Sequence, residues 1–219
     1  MWDAYDGLTF AVWAAFVGYD GTVSAPKAVS RPPAQEGKLT PHAWQFVPSV
    51  CLDAGGTPWV AWLFSQDVID ADGVLDQWPS ARVARVDEEG WAPVLDGAGC
   101  ADLGLLAWGL LTWQDKGAWG YLGQRRRPMV VADPSGGVWL VWERKDISDR
   151  HTLLARGVLC GRKLREGGAG AVRRLAVCPR GYAPVGIEGN RLWAACRLDP
   201  DTSKEDVGLI ACDLESAPP

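Results

Sequence analysis

The sequence predicts an all-β protein built from repeated units, and two observations carry that prediction. A proline-led run breaks at an Asp-x-x-Gly turn and resumes in a Trp-x-x-Trp run from Pro48 and again from Pro128, with a degenerate third copy from Pro184. The 219 residues include 13 Trp, and no segment combines helical periodicity with helix caps. Because one such unit cannot bury its own apolar faces, the copies are expected to stack on one another.

The break in each complete copy predicts a tight turn between two strands. Asp53 and Asp133 begin four-residue turns in which the side-chain carboxylate can hold the backbone. Gly56 and Gly136 stand where such a turn closes, and we expect both at positive φ because glycine adopts that conformation without a steric penalty. Each copy is therefore interpreted as a β-hairpin.

The Trp-x-x-Trp runs that follow the turns are apolar on both faces of a strand. A strand exposed on one face alternates in polarity, whereas a strand covered on both faces need not. We therefore expect Trp62 and Trp142 to be buried at equivalent positions between neighbouring units. A second strand pair follows each hairpin, from Ala81 and from Thr152. Four strands, named a to d, then make one blade, and sheets stacked around an axis make a β-propeller.

The repeat spacing predicts how the blades are distributed along a single domain, 1–219. Trp59 and Trp139 are 80 residues apart, whereas Trp139 and Trp193 are 54 apart, which indicates an insertion. The predicted segments are a partial blade 8–29, whole blades 47–94 and 127–177, a partial blade 183–215 and an insertion 96–127. The first partial blade is interpreted as strands c and d. Closed propellers have four to eight blades, so either the terminal pieces close a small ring or another copy or chain completes it.

This repeat pattern resembles that of a known family. Pro-x-Val-x-x-Asp-x-x-Gly-x-x-Trp-Val-x-Trp, followed by an Ala-Arg strand and Gly-Trp-x-x-Pro-Val, is similar to the repeats of bacterial sialidase-like (BNR-type) β-propeller proteins. The resemblance covers most of the chain and implies the fold and a secreted or periplasmic location. The sialidase Asp-box, Ser-x-Asp-x-Gly-x-x-Trp, is one residue shorter, and Cys51 or Val131 occupies its serine position here. No catalytic set carries over residue by residue.

Propeller geometry predicts where a functional site would lie. The b–c loops and the crossovers from d to the next a share one face of the disc, and binding residues concentrate on such loops. The first b–c loop is predicted from Ser65 to Ser80, and the second contains Asp146 and Asp149. The third is predicted to carry further acidic side chains between Asp199 and Asp206, and the crossovers are expected to be long.

The first of these loops is a candidate calcium site. Asp70, Asp72 and Asp76, with Gly73 between them, resemble the later half of a calcium loop, in which alternate carboxylates enclose a hard cation. Val68 stands where the first ligand is expected. The alternative is a solvated loop in which Asp-Gly makes a turn. No other cofactor is expected.

The main crossover is the candidate ligand-binding segment. Trp and Tyr rings can stack on sugars, and Arg can hold a carboxylate through two parallel hydrogen bonds. The apolar stretch from Leu103 is favoured as core packing. The residues predicted to bind ligand are Trp119, Tyr121, Arg125, Arg126 and Arg127.

The uneven distribution of charge along the sequence bears on which class of ligand the protein could bind. The net charge is −5, but between Tyr121 and Arg180 there are 13 basic against 5 acidic side chains, a local excess of +8. That excess could attract an acidic polysaccharide, a carboxylated ligand or a nucleic acid, or could help copies of the chain to meet. With a pI near 5.1, nucleic acid is the least favoured partner.

Catalytic and redox signatures are sparse. His42 and His151 are far apart in the sequence, and there is no Gly-x-Ser-x-Gly or His-Glu-x-x-His motif. A carboxylate pair of the glycosidase kind could be assembled from Asp67, Asp70, Asp146, Asp149 and Glu143. The six cysteines show no Cys-x-x-Cys spacing, and Cys196 and Cys212 are predicted on adjacent strands where they could pair.

The sequence therefore favours a binding module that recognises a carbohydrate or a protein ligand on its b–c face. The alternatives are a glycoside-active, sialidase-like hydrolase and a structural piece of a larger propeller assembly, so enzymatic activity stays an open question at this point. No apolar stretch is long enough to span a membrane, no signal peptide is visible, and the compartment is not determined.

Overall fold

A computed structural model of the chain describes residues 1–5, 10–30, 43–69, 75–87, 90–95, 101–102, 128–145, 157–178, 180–197 and 207–215. These residues form 15 strands in four antiparallel sheets, and none of them is helical. The all-β prediction is confirmed. The sheets follow one another along the chain and are called the first to fourth sheets below.

The first sheet has one strand more than the sequence predicted. It contains β1 (Trp2–Tyr5), β2 (Phe10–Ala14) and β3 (Lys27–Ala28), in the order β1-β2-β3. The two-strand interpretation that began at Leu8 is therefore incomplete, because β1 pairs with β2 and places Trp2 opposite Trp13. Cross-strand aromatic pairs of this kind stabilise a sheet.

The second sheet extends further than predicted. It contains β4 (Ala43–Leu52), β5 (Pro58–Ile69), β6 (Leu75–Asp87) and β7 (Gly90–Leu95) in that order, with β8 (Ala101–Asp102) paired to β6. The predicted loop from Ser65 to Ser80 is wrong, because most of it is the paired ends of β5 and β6. Continuing the ladder satisfies backbone groups that a loop would leave to water.

The third and fourth sheets are close in sequence. The third contains β9 (Met129–Ala132), β10 (Val138–Lys145), β11 (Gly157–Arg165) and β12 (Gly168–Cys178), and the fourth contains β13 (Arg180–Glu188), β14 (Arg191–Arg197) and β15 (Val207–Asp213). Only residue 179 separates β12 from β13. The expectation that every crossover is long is therefore wrong here.

Apolar side chains fill the space between successive sheets. Between the first and second sheets lie Val12, Ala14, Val29, Val60, Trp62 and Ala84. Between the second and third lie Trp59, Ala61, Leu63, Ala81, Val83, Val130, Val138, Leu140, Trp142, Cys160 and Leu164. Between the third and fourth lie Val131, Trp139, Val141, Leu159, Tyr182, Leu192, Ala194, Cys196, Cys212 and Leu214.

Alternation along the strands sends the two tryptophans of each run to opposite neighbours. Trp59 packs toward the third sheet and Trp62 toward the first, whereas Trp139 packs toward the fourth and Trp142 toward the second. Trp62 is 4% exposed and Trp142 is 1% exposed, so their predicted burial at equivalent positions is confirmed.

A bulge in β4 links the second and third sheets. The register between β4 and β5 shifts between Phe46 and Ser49, and Val47 within the shift has a φ of 50°. The Ser49 hydroxyl then accepts a hydrogen bond of 3.2 Å from the backbone N–H of Val130 in β9. The bulge therefore turns a polar side chain toward the neighbouring sheet, as bulges commonly do.

Candidate functional site

The first aspartate turn is closed by both oxygens of Asp53. Its Oδ1 accepts hydrogen bonds from the backbone N–H groups of Gly55 and Thr57, each at 2.9 Å. Its Oδ2 accepts the indole N–H of Trp59 at 2.9 Å. Gly56 donates to the Asp53 carbonyl and has a φ of 81°, which confirms the predicted turn and its positive-φ glycine.

The second turn repeats this arrangement and adds a cation. Oδ1 of Asp133 accepts hydrogen bonds from the backbone N–H and the hydroxyl of Ser135, and Oδ2 accepts the indole N–H of Trp139 at 3.0 Å. Nζ of Lys163 lies 2.7 Å from the same Oδ2. Gly136 has a φ of 102°, as predicted.

The bond between aspartate and tryptophan was missed in the sequence, although its signal was present. In both copies the tryptophan stands six residues after the aspartate. At that spacing a tight turn returns the second strand beside the first, and the indole N–H reaches the carboxylate. The contact fixes the turn to the strand. Its role is structural, because every polar group in it already has a partner within the protein.

These contacts shift the acidity of both carboxyl groups. Burial disfavours the charged form of Asp133, but hydrogen bonds from Lys163 and Ser135 outweigh it and hold the pKa below its ordinary value of 3.8. For Asp53, burial is likewise outweighed by hydrogen bonds from Trp59, Thr57 and Gly55, and the pKa is again lowered. Both aspartates are therefore ionised at neutral pH.

The lowered pKa values predict an acid-sensitive fold. Near pH 4 the unfolded chain binds more protons than the folded chain, so the free energy of unfolding falls as pH drops below about 4 toward the folded values. Replacement of Asp133 by Asn should lower the free energy of unfolding at pH 7 by about 1–3 kcal/mol and reduce its dependence on acid. Urea unfolding between pH 3 and pH 7 measures both effects.

Asp3→Asn, at an exposed position of β1, is the matched control and should leave the free energy of unfolding at pH 7 within about 0.5 kcal/mol of the wild-type value. An Asp133→Asn variant with the wild-type stability and the wild-type acid profile would contradict the assigned role of this carboxylate.

The two ends of the sheets differ in how the strands are connected. At one end lie the Asp53 and Asp133 turns, the β13–β14 turn at Gly189 and the β11–β12 turn at Glu166; we call it the tight-turn end. Arg85 of β6 pairs with Glu166 at 2.6 Å, which brings the tight-turn ends of the second and third sheets together. At the opposite end the described strands lead into residues 70–74, 103–127, 146–156 and 198–206, and the one-residue connection at 179 also lies there; we call it the long-connection end.

Most of the predicted site residues lie outside the described residues. These are Trp119, Tyr121, Arg125, Arg126, Arg127, Asp70 and Asp72, so the ligand-binding and calcium interpretations stay predictions. Asp76 is described, and it lies in β6 opposite Val68 of β5. Asp76 was predicted within the Ser65–Ser80 loop and is instead part of a paired strand. Among the described residues, no group of three or more His, Cys, Asp or Glu side chains could hold a metal ion.

Cys51, Cys160, Cys196 and Cys212 are free thiols. Cys196 and Cys212 do lie on adjacent strands, but Cys196 is opposite Gly208 and Cys212 is opposite Leu192. Four positions along a strand correspond to about 13 Å, which is beyond the reach of a disulfide. The predicted pairing is therefore wrong. Burial, with a smaller effect from the Asp53 carboxylate, raises the pKa of the Cys51 thiol to about 12, so this thiol is protonated at neutral pH.

The fold defines an all-β protein of four stacked antiparallel sheets. Comparison with protein-family models, curated proteins and solved structures found no match. A search of the described residues for a helix long and apolar enough to cross a membrane found none.

Proposed function

We propose that the protein is a β-propeller-type binding module that recognises an acidic carbohydrate at the long-connection end. The observation that carries the proposal is the difference between the two ends of the sheets. The tight-turn end is closed by short turns whose polar groups bond to one another, as at Asp53 and Asp133. The carboxylates of these two turns are therefore already occupied within the protein.

The segments that follow the strands at the long-connection end include, in their sequence, residues suited to a ligand. In sequence, residues 103–127 hold Trp119, Tyr121 and three consecutive arginines, and residues 146–156 hold further charged side chains. Aromatic rings stack on sugar rings, and guanidinium groups pair with carboxylates. Loops on a rigid β-scaffold are common positions for such groups.

Two features support assignment of the sheets as blades. Each internal sheet contributes one tryptophan to the layer before it and one to the layer after it, at equivalent positions. Each also closes its first turn with a bond between aspartate and tryptophan. Blades stacked in this regular way are expected of a propeller whose repeats are of the sialidase-like kind.

The test is binding to an array of sialylated, uronate-bearing and neutral glycans, followed by titration calorimetry with the strongest glycan. Arg126→Ala combined with Arg127→Ala should weaken binding about tenfold or more through loss of paired hydrogen bonds. The charge-matched control is Arg165→Ala combined with Arg174→Ala, two exposed positions on β11 and β12, and it should change affinity little.

Two outcomes would decide against this function. Equal loss of binding in both double variants would indicate non-specific attraction, and absence of binding to every acidic glycan would remove the carbohydrate proposal. Release of the chromophore from a chromogenic sialoside would favour the sialidase-like hydrolase instead.

A further inference from the structure

The outer face of the fourth sheet carries solvent-exposed apolar side chains. In β14 the side chains of Leu192, Ala194 and Cys196 pack toward the third sheet, so the intervening ones point away from it. The face pointing away, the fourth-sheet outer face, consists of Trp193, Ala195, Val207, Leu209 and Ala211. Leu209 is 64% exposed and Val207 is 71% exposed.

Two other sheets bury the same positions. Leu209 lies opposite Ala195, just as Val83 in the second sheet lies opposite Ala61, and Val83 is fully buried. In the second and third sheets the following sheet provides the cover, because Trp59 and Trp139 both lie in the layer formed with it. The fourth-sheet outer face is therefore a repeat interface that lacks its second half within the described residues.

The first sheet presents the other half. Val12 and Ala14 pack toward the second sheet, so the alternate side chains of β2 lie on the opposite face. This first-sheet outer face consists of Trp13 and Ala11 with their partners Trp2 and Ala4 on β1. Trp2 is 40% exposed. In the second and third sheets, the equivalent face packs against the preceding sheet, through Trp62 and Trp142 respectively.

Among the residues that the structure describes, these two faces do not cover each other. The first sheet packs against β4, and the fourth packs against β9 and β12. Leu209 at 64% exposure and Trp2 at 40% show that part of each face is open, although Ala11 on the first-sheet outer face is only 8% exposed. The partner that carries both missing halves in matching form is another copy of the chain.

We propose that the fourth-sheet outer face of one copy binds the first-sheet outer face of a second copy. The fourth-sheet outer face of the second copy then binds the first-sheet outer face of the first, so that the four described sheets of each copy close one ring of eight. Eight is within the range in which propeller rings close. The pairing is head-to-tail, and closure by a twofold axis buries both free faces of each copy. This inference concerns assembly and goes beyond the proposed ligand binding.

The test is sedimentation equilibrium of the chain and two variants. The wild-type chain should have twice the monomer mass of 23.7 kDa. Leu209→Arg and Trp2→Arg should each weaken self-association roughly 30-fold or more, since each places an unpaired charge in an apolar interface. Both positions are exposed in the single chain, so neither change should unfold it, and circular dichroism checks this.

Mixing the two variants distinguishes head-to-tail from face-to-same-face pairing. Leu209→Arg keeps an intact first-sheet outer face, and Trp2→Arg keeps an intact fourth-sheet outer face, so an equimolar mixture should regain dimers through one intact interface. Val172→Arg, on β12 away from both faces, should remain a dimer. A monomeric wild-type chain, a mass that grows without limit with concentration, or a Trp2→Arg variant that dimerises normally would each overturn the proposal.

Discussion

Replacement of Trp142 by Ala is expected to lower the free energy of unfolding by about 3–5 kcal/mol, the cost of emptying a large buried aromatic site. Trp142 is 1% exposed and belongs to the layer between the second and third sheets, where it packs with Leu140 and Trp59. The sheets are rigidly paired by their ladders, so they cannot collapse into the cavity. Urea unfolding followed by circular dichroism gives the change.

Comparison of Trp142→Phe with Trp62→Phe separates the contribution of packing from that of the indole hydrogen bond. The indole N–H of Trp62 donates to Oε1 of Gln45 at 3.1 Å in a buried contact, whereas the indole N–H of Trp142 has no partner among the described residues. Trp62→Phe should therefore cost about 1 kcal/mol more than Trp142→Phe. Equal costs for the two phenylalanine variants would show that the Gln45 contact contributes nothing to stability. A Trp142→Ala variant with nearly the wild-type free energy of unfolding would contradict the burial of Trp142 between the second and third sheets.

Replacement of Gly137 by Ala should lower the free energy of unfolding by about 2–5 kcal/mol. Gly137 has a φ of 75°, and a Cβ at this position would lie 2.2 Å from the carbonyl oxygen of Leu164 in β11. The new methyl group therefore meets both an unfavourable backbone conformation and a backbone atom that cannot step aside. Thermal and urea unfolding measure the loss.

Gly136 is the matched control because it adjoins Gly137 and also has a positive φ, 102°. A Cβ there would have no atom within 4 Å, so Gly136→Ala should cost only about 1–2 kcal/mol from backbone strain. If the two alanine variants were equally stable, the approach of Leu164 would not be a constraint, and conformation alone would explain both glycines.

The contrast between the two turns shows which glycines can be predicted from local sequence and which cannot. Gly56 and Gly136 were predicted from the Asp-x-x-Gly pattern because a tight turn requires positive φ within four residues. The importance of Gly137 could not be predicted in this way. Thr57 occupies the same place in the first turn, whereas Gly137 combines a φ of 75° with the close approach of β11, a strand distant in sequence.

The sequence by itself determined the central strands and their tight turns, since these depend on short-range patterns: the aspartate turns, the glycines that close them, and the Trp-x-x-Trp runs apolar on both faces. Only the tertiary structure decided which neighbour each face meets. The separation of Trp59 from Trp62 into different layers, the four-position offset between Cys196 and Cys212, and the strand extension past Ser65 all depend on register between strands. Register is set by pairing partners and packed layers far apart in the chain, so a local pattern does not contain it.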